Sequence, residues 1–216
     1  LHLSLIADQR TDDKWEIRYK DVTRAFIRRN LGDDLSDKKL LDLGCGTGLD
    51  LTYYELLGAE VYGSDASEEM LKEAAKRISL ERLKVATHDN LPFNEEYYDV
   101  VTARFTLHYL EGLDECYEEV SRILKPKGKF IFLARHPLVD FQNKQALHYW
   151  KREVTAVPLY SNGVTVHSPT HTFSDYLSHL FLDRFNLEDF EEADDQHFGK
   201  EAQIIPSYIG IMATKR

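Results

Sequence analysis

Apolar residues follow two alternating rhythms along the chain: short unbroken runs, and longer stretches in which they recur every three or four positions. The runs Lys39 to Leu43, Ala59 to Ser64, Leu83 to Thr87, Val100 to Ala103 and Lys129 to Ala134 read as strands covered on both faces. Between them, Leu49, Leu51, Tyr54 and Leu57 keep helical spacing. So do Met70, Leu71, Ala74, Ala75 and Ile78, and then Leu113, Cys116, Tyr117, Val120, Ile123 and Leu124. Ser67 supplies an N-cap, and Lys125-Pro126-Lys127-Gly128 stops the last of these helices. Strand alternating with helix predicts an α/β fold, a doubly wound, mostly parallel sheet.

The flanks are less regular. Trp15, Tyr19, Val22 and Phe26 make one face of a helix spanning about residues 12 to 31, within an N-terminal helical segment of residues 1–36. From Arg135 to Thr172 the periodicity breaks down over a stretch too long for an ordinary connection. Residues 135–172 therefore read as an insertion that covers a site, with a hairpin of Thr155-Ala156-Val157 and Val164-Thr165-Val166 around Ser161-Asn162-Gly163. Its aromatics, Phe141, Tyr149, Trp150 and Tyr160, suit a small, partly apolar acceptor. Thr172 or Ser174 caps a helix with Tyr176, Leu177, Leu180 and Phe181 on one face. Leu187 to Glu191 and Ser207 to Thr214 supply two last strands, seven in all.

Candidate chemistry centres on Leu40-Leu41-Asp42-Leu43-Gly44-Cys45-Gly46-Thr47-Gly48, a strand that runs into a turn only glycines make easily. The free N–H groups opening the next helix offer donors to a ligand there. Gly44, Gly46 and Gly48 space as G-x-G-x-G. The dinucleotide fingerprint G-x-G-x-x-G needs glycine where Leu49 stands, which disfavours a pyrophosphate cradle. The second strand ends in Asp65, and an acid at that place can hold ribose hydroxyls. The pair suggests an adenosine-bearing ligand without a pyrophosphate.

LLDLGCGTG, VYGSDAS, HDNLPF, YYDVVTARFTLHYL and RILKPKGKFIFLARHP, in that order over residues 38 to 137, resemble the successive motifs of class I S-adenosylmethionine-dependent methyltransferases. The tail is more loosely similar to the small-molecule branch of that superfamily. The resemblance implies a Rossmann-like methyltransferase fold whose last strand is antiparallel, and S-adenosyl-L-methionine as cofactor. It implies Asp42, Gly44, Cys45, Gly46 and Gly48 around the methionine portion, and Asp65 with Ala66 at the ribose. Asp89 with Asn90 would lie near adenine, and backbone at Arg104 and Phe105 would touch the methionine part. Tyr19 would line the site from a closing N-terminal helix. His108 matches a histidine frequent in the family, and His136, at the entry to the cover, is the first candidate for acceptor orientation or general base. Where the family has Ala-Gly-Phe this chain has Asp183-Arg184-Phe185, so the preceding helix must close differently.

Composition narrows the class. The 216 residues carry 27 Lys and Arg against 37 Asp and Glu, a net charge of −10 that argues against a nucleic-acid substrate. No apolar run reaches the roughly 20 residues of a membrane-spanning helix, so a soluble, single-domain protein of residues 1–216 is expected, with a small-molecule acceptor as partner. Cys45 and Cys116 show no metal-ligand spacing and suit a reducing, cytoplasmic setting. His167, His171, Asp175 and His179 recur every four residues, but Pro169 interrupts the helix that would align them, so no metal is expected. Two alternatives to methyl transfer stand: a module that binds the cofactor without turnover, and a nicotinamide-dependent oxidoreductase.

Overall fold

The computed structural model describes residues 23–142, 146–158, 165–194 and 205–216. The helices are α1 (Thr23–Leu31), α2 (Leu49–Leu56), α3 (Glu68–Ala74), α4 (Asp114–Ile123), α5 (Val139–Gln142), α6 (Phe173–Tyr176) and α7 (His179–Arg184). The strands are β1 (Lys39–Leu43), β2 (Glu60–Asp65), β3 (Leu83–Val85), β4 (Tyr98–Arg104), β5 (Leu124–Arg135), β6 (Val154–Pro158), β7 (Thr165–Pro169), β8 (Phe185–Ala193) and β9 (Tyr208–Lys215).

Seven strands form one sheet in the order β3-β2-β1-β4-β5-β9-β8, and β6 pairs with β7 as a separate hairpin. The pairs from β3 through β5 are parallel, whereas β9 runs antiparallel to both β5 and β8. The chain reverses direction across the sheet between β1 and β4. The carboxyl ends of those two strands thus flank the crevice in which open α/β sheets take ligands.

Period-two alternation sends neighbouring strand residues to opposite faces. Leu41, Leu43, Val101, Ala103, Phe130 and Phe132 meet Cys116, Tyr117, Val120 and Ile123 of α4 and Phe181 of α7. Leu40, Val100, Ile131 and Leu133 instead meet Phe26 and Ile27 of α1, Leu51 and Tyr54 of α2, and Leu71 and Ala74 of α3. Both faces are therefore covered, as the unbroken apolar runs require.

Two elements depart from the sequence expectation. Lys125 to Gly128 does not separate a helix from a later strand: β5 starts at Leu124 and absorbs these residues as an irregularity, with Lys127 at φ +62° and the β4 pairing slipping between Tyr98 and Val100. The single helix expected from Thr172 onward is two short ones. Thr172 caps α6 through a reciprocal box with Asp175, and Ser178 opens α7 by accepting from Phe181 N–H. A second capping serine inside the apolar stripe offers the backbone a new start, and the stripe divides there.

Candidate active site

The turn after β1 is built as its glycines demand. Gly44, Gly46 and Gly48 stand at φ +64°, +53° and +75°. A Cβ on Gly46 would meet no heavy atom within 4 Å, so the space in front of this residue is open. Gly46 N–H donates to Asp65 Oδ2 at 2.9 Å, and Ser67 N–H donates to Oδ1 at 2.9 Å. Asp65 thus faces the glycine turn from the end of β2. Each of its oxygens keeps a second lone-pair site.

Behind the turn lies a cavity of about 170 Å³ lined by Asp42, Gly44, Cys45, Gly46, Thr47, Leu49, Asp50 and Arg104. A pocket that encloses a whole drug-sized ligand is about 300–1,000 Å³, so this cavity takes one end of a longer molecule. Its polar wall is a charge network. Asp50, in the first turn of α2, accepts from Arg104 Nε at 2.7 Å and from Arg24 Nε. Burial alone would raise the Asp50 carboxyl, but Arg104 and Arg24 outweigh it and hold the group below its usual range. Asp42 is 3% exposed and accepts from Thr102 Oγ1 at 2.7 Å. Burial, then the neighbouring Asp50 charge, push its carboxyl up to about 7.

S-Adenosylmethionine carries an ammonium and a carboxylate at its methionine end and ribose hydroxyls farther along. An acidic group with a matching cation in the cavity, open space at Gly46 and Asp65 beyond it fit those groups. Asp42 and the Asp50–Arg104 pair would hold the methionine end, and Asp65 the ribose.

The other expected residues separate. Cys45 keeps its place in the cavity lining but is buried against Gly63, and burial raises its thiol, so it also packs the turn. Ala66 is exposed beside Asp65. Asp89 and Asn90 are exposed in a tight turn bridged between Thr87 and Asn90, and Asp89 is held low by the Thr87 hydroxyl. Phe105 adopts φ +56°, donates its N–H to the Leu133 carbonyl at 2.9 Å, and packs edge-on against Tyr208. Tyr19 lies outside the described residues.

His136 is 2% exposed, with both ring nitrogens engaged: Nδ1 accepts from Leu138 N–H at 3.1 Å and Nε2 faces Glu192 Oε1 at 2.9 Å. A neutral imidazole has one lone pair, and here it is taken, so the geometry favours positioning over proton abstraction. His108 is 6% exposed, and burial, with Arg135 nearby, lowers it to about 3. Such an imidazole is neutral near pH 7 and too weak to act as a base there. His167 lies in β7, His171 and Asp175 around the start of α6, and His179 in α7, so they share no helix face.

Sequence reasoning missed Asp50, Thr102 and Arg24. Only Asp50 left a signal, as an acid in the first turn of the helix after the glycines. The others are brought in by strands and helices distant in sequence.

The methyltransferase domain family matches residues 41–132. Those residues hold the glycine turn, Asp65 and Arg104. They form a methyltransferase domain. The chain is 25% identical to a Listeria monocytogenes protein assigned as a S-adenosylmethionine-dependent methyltransferase. That crystal structure superposes with a TM-score of 0.74 over 91% of this chain and 98% of the other. A Haemophilus influenzae protein is 39% identical over 116 residues, covering 49% of this chain and 45% of that one. The demethylmenaquinone methyltransferase of Symbiobacterium thermophilum is 33% identical over 131 residues, covering 56% of this chain and 51% of that one. The chain spans about half the length of these two curated relatives. Among the described residues, no helix is long and apolar enough to cross a membrane.

Proposed function

We propose that this methyltransferase transfers a methyl group from S-adenosylmethionine to a small-molecule acceptor, with the insertion of residues 135–172 as the acceptor's cover. The observation that carries the reading is the open space at Gly46, framed by Asp65 in front and by Asp42, Asp50 and Arg104 behind. The demethylmenaquinone relative supports an acceptor of small size, as does the acidic balance of the chain.

When bound, the cofactor supplies an electrophilic methyl on a positively charged sulfur, with a neutral thioether as leaving group. The task of this chain is then alignment. Asp42 and the Asp50–Arg104 pair hold the methionine end, and Asp65 holds the ribose. The crevice between β1 and β4 points both at an acceptor arriving over the ends of β4 and β5. Holding an acceptor lone pair in line at about 3 Å makes a bimolecular displacement effectively unimolecular. His136 shapes the entry to the cover by fixing Leu138 and Glu192.

The test is thermal stabilisation by S-adenosylhomocysteine compared with NADH, repeated on Gly46→Val and Asp65→Ala. Stabilisation by the first ligand alone, lost in both folded variants, is expected. Stabilisation by NADH instead would overturn the reading.

A further inference from the structure

A second buried polar cluster lies beneath the β6–β7 hairpin, sharing no residue with the lining of the cofactor cavity. Arg135, at the end of β5, binds Asp140 at 2.7 Å, and Thr155 of β6 donates to the same carboxylate oxygen at 3.2 Å. Ser168, the register partner of Thr155, donates to the His108 carbonyl at 2.7 Å and so ties the hairpin to the loop after β4. His108 has Arg135 and His171 as neighbours in this cluster.

The two imidazoles are 6% and 5% exposed. His108 Nδ1 and both ring nitrogens of His171 lack a hydrogen-bond partner. The carbonyls of His108 and Leu110 approach the His171 ring without completing a bond. Buried polar atoms are nearly always paired, so three open positions within one cluster call for a group that pairs them.

The charges say which kind of group. Arg135 and Asp140 cancel. Burial disfavours protonation of both histidines; Arg135 adds to this at His108, while at His171 the nearby Asp175 carboxylate opposes it and is itself paired with Arg152. The cluster is therefore electrically balanced, and a carboxylate or ammonium entering it would be desolvated with no free counter-charge. A neutral imidazole offers one N–H and one lone pair, which a hydroxyl matches because it both donates and accepts. The walls are aromatic: Tyr109 lies tilted 4.1 Å from His108, Tyr176 lies 5.3 Å from His171, and Phe105 lies 6.4 Å from His108. Phe105 follows directly on Arg104 of the cofactor cavity, so the two sites adjoin along the chain.

We propose that His108 and His171 form the acceptor-recognition pair, binding an uncharged, hydroxyl-bearing small molecule between aromatic walls. The proposal rests on the methyltransferase reading above. Insertion and core each contribute one imidazole, so the hairpin sets acceptor choice.

The test is titration of S-adenosylhomocysteine-saturated protein with phenol, benzoate and benzylamine, reading the side-chain ¹⁵N resonances of the histidines. Phenol at roughly millimolar concentration is expected to shift the His108 and His171 signals saturably, as suits a ligand of so few atoms. Benzoate and benzylamine are expected to leave them in place. His171→Phe is expected to abolish the phenol response while leaving stabilisation by S-adenosylhomocysteine unchanged. Unmoved signals with phenol in the loaded wild-type protein, or equal shifts with a charged probe, would overturn the proposal and leave the cofactor reading intact. Failure to load S-adenosylhomocysteine would bring down both.

Discussion

Gly44 and Thr106 interlock: a Cβ on Gly44 would stand 2.3 Å from Thr106 Oγ1, the atom that also meets His88 Nε2 at 3.0 Å. The end of β1, the loop after β4 and the turn after β3 are thus fixed to one another at a single point. Gly44→Ala combines a left-handed backbone with a steric clash and is expected to cost about 2–4 kcal/mol. Urea denaturation measures it, and a loss under 1 kcal/mol would show that Thr106 can move aside.

Gly46 is the counterpart with the opposite balance. Its φ of +53° makes Gly46→Ala cost about 1 kcal/mol, but no protein atom obstructs the new methyl. The methyl instead occupies ligand space. Affinity for S-adenosylhomocysteine is expected to fall at least about tenfold with folding nearly intact, a loss of about 1.4 kcal/mol. Unchanged affinity by titration calorimetry would remove Gly46 from the site.

Asp42 gives the site a pH dependence with a definite sign. Its folded carboxyl is raised to about 7 by burial and by Asp50, above the ordinary 3.8. Between those values the folded chain holds a proton that the unfolded chain has released. The contribution to stability is present below about pH 4 and is lost as pH rises through about 7. Wild-type stability is expected to fall relative to Asp42→Asn over that window. Parallel pH profiles from chemical denaturation would contradict it.

Asp50 is shared by two guanidiniums, Arg24 and Arg104, with its side chain 10% exposed. Removing one member of a buried ion network leaves charge poorly compensated, so Asp50→Ala is expected to destabilise by about 3 kcal/mol. Binding of S-adenosylhomocysteine should weaken with it, because Arg104 loses the partner that orients it. Thermal unfolding with and without ligand separates the two effects.

His136→Phe withdraws the acceptor of Leu138 N–H and the partner of Glu192. A loss of about 1–3 kcal/mol is expected from the stranded N–H. Affinity for S-adenosylhomocysteine should be unchanged, since the cofactor cavity shares no residue with this contact. Equal loss of both, by denaturation and calorimetry, would place His136 at the cofactor instead.

Much of this was legible in the order of residues. The central strands β1 and β4 carry apolar runs because both their faces are covered, whereas β3, at the edge of the sheet, leaves Lys84 and Val85 exposed; each glycine of the turn marks a backbone angle that side chains resist. The sequence therefore determined the alternating α/β order, the location of the glycine turn, and the acid at the end of β2. These features depend on local geometry and on periods of two and of three to four. The tertiary structure alone decided that Thr106 sits against Gly44, that two arginines share Asp50, that His136 has both its nitrogens engaged, and that His108 and His171 meet beneath the hairpin. Those contacts join residues tens of positions apart, and what a buried polar side chain can do depends on the neighbours that folding gives it.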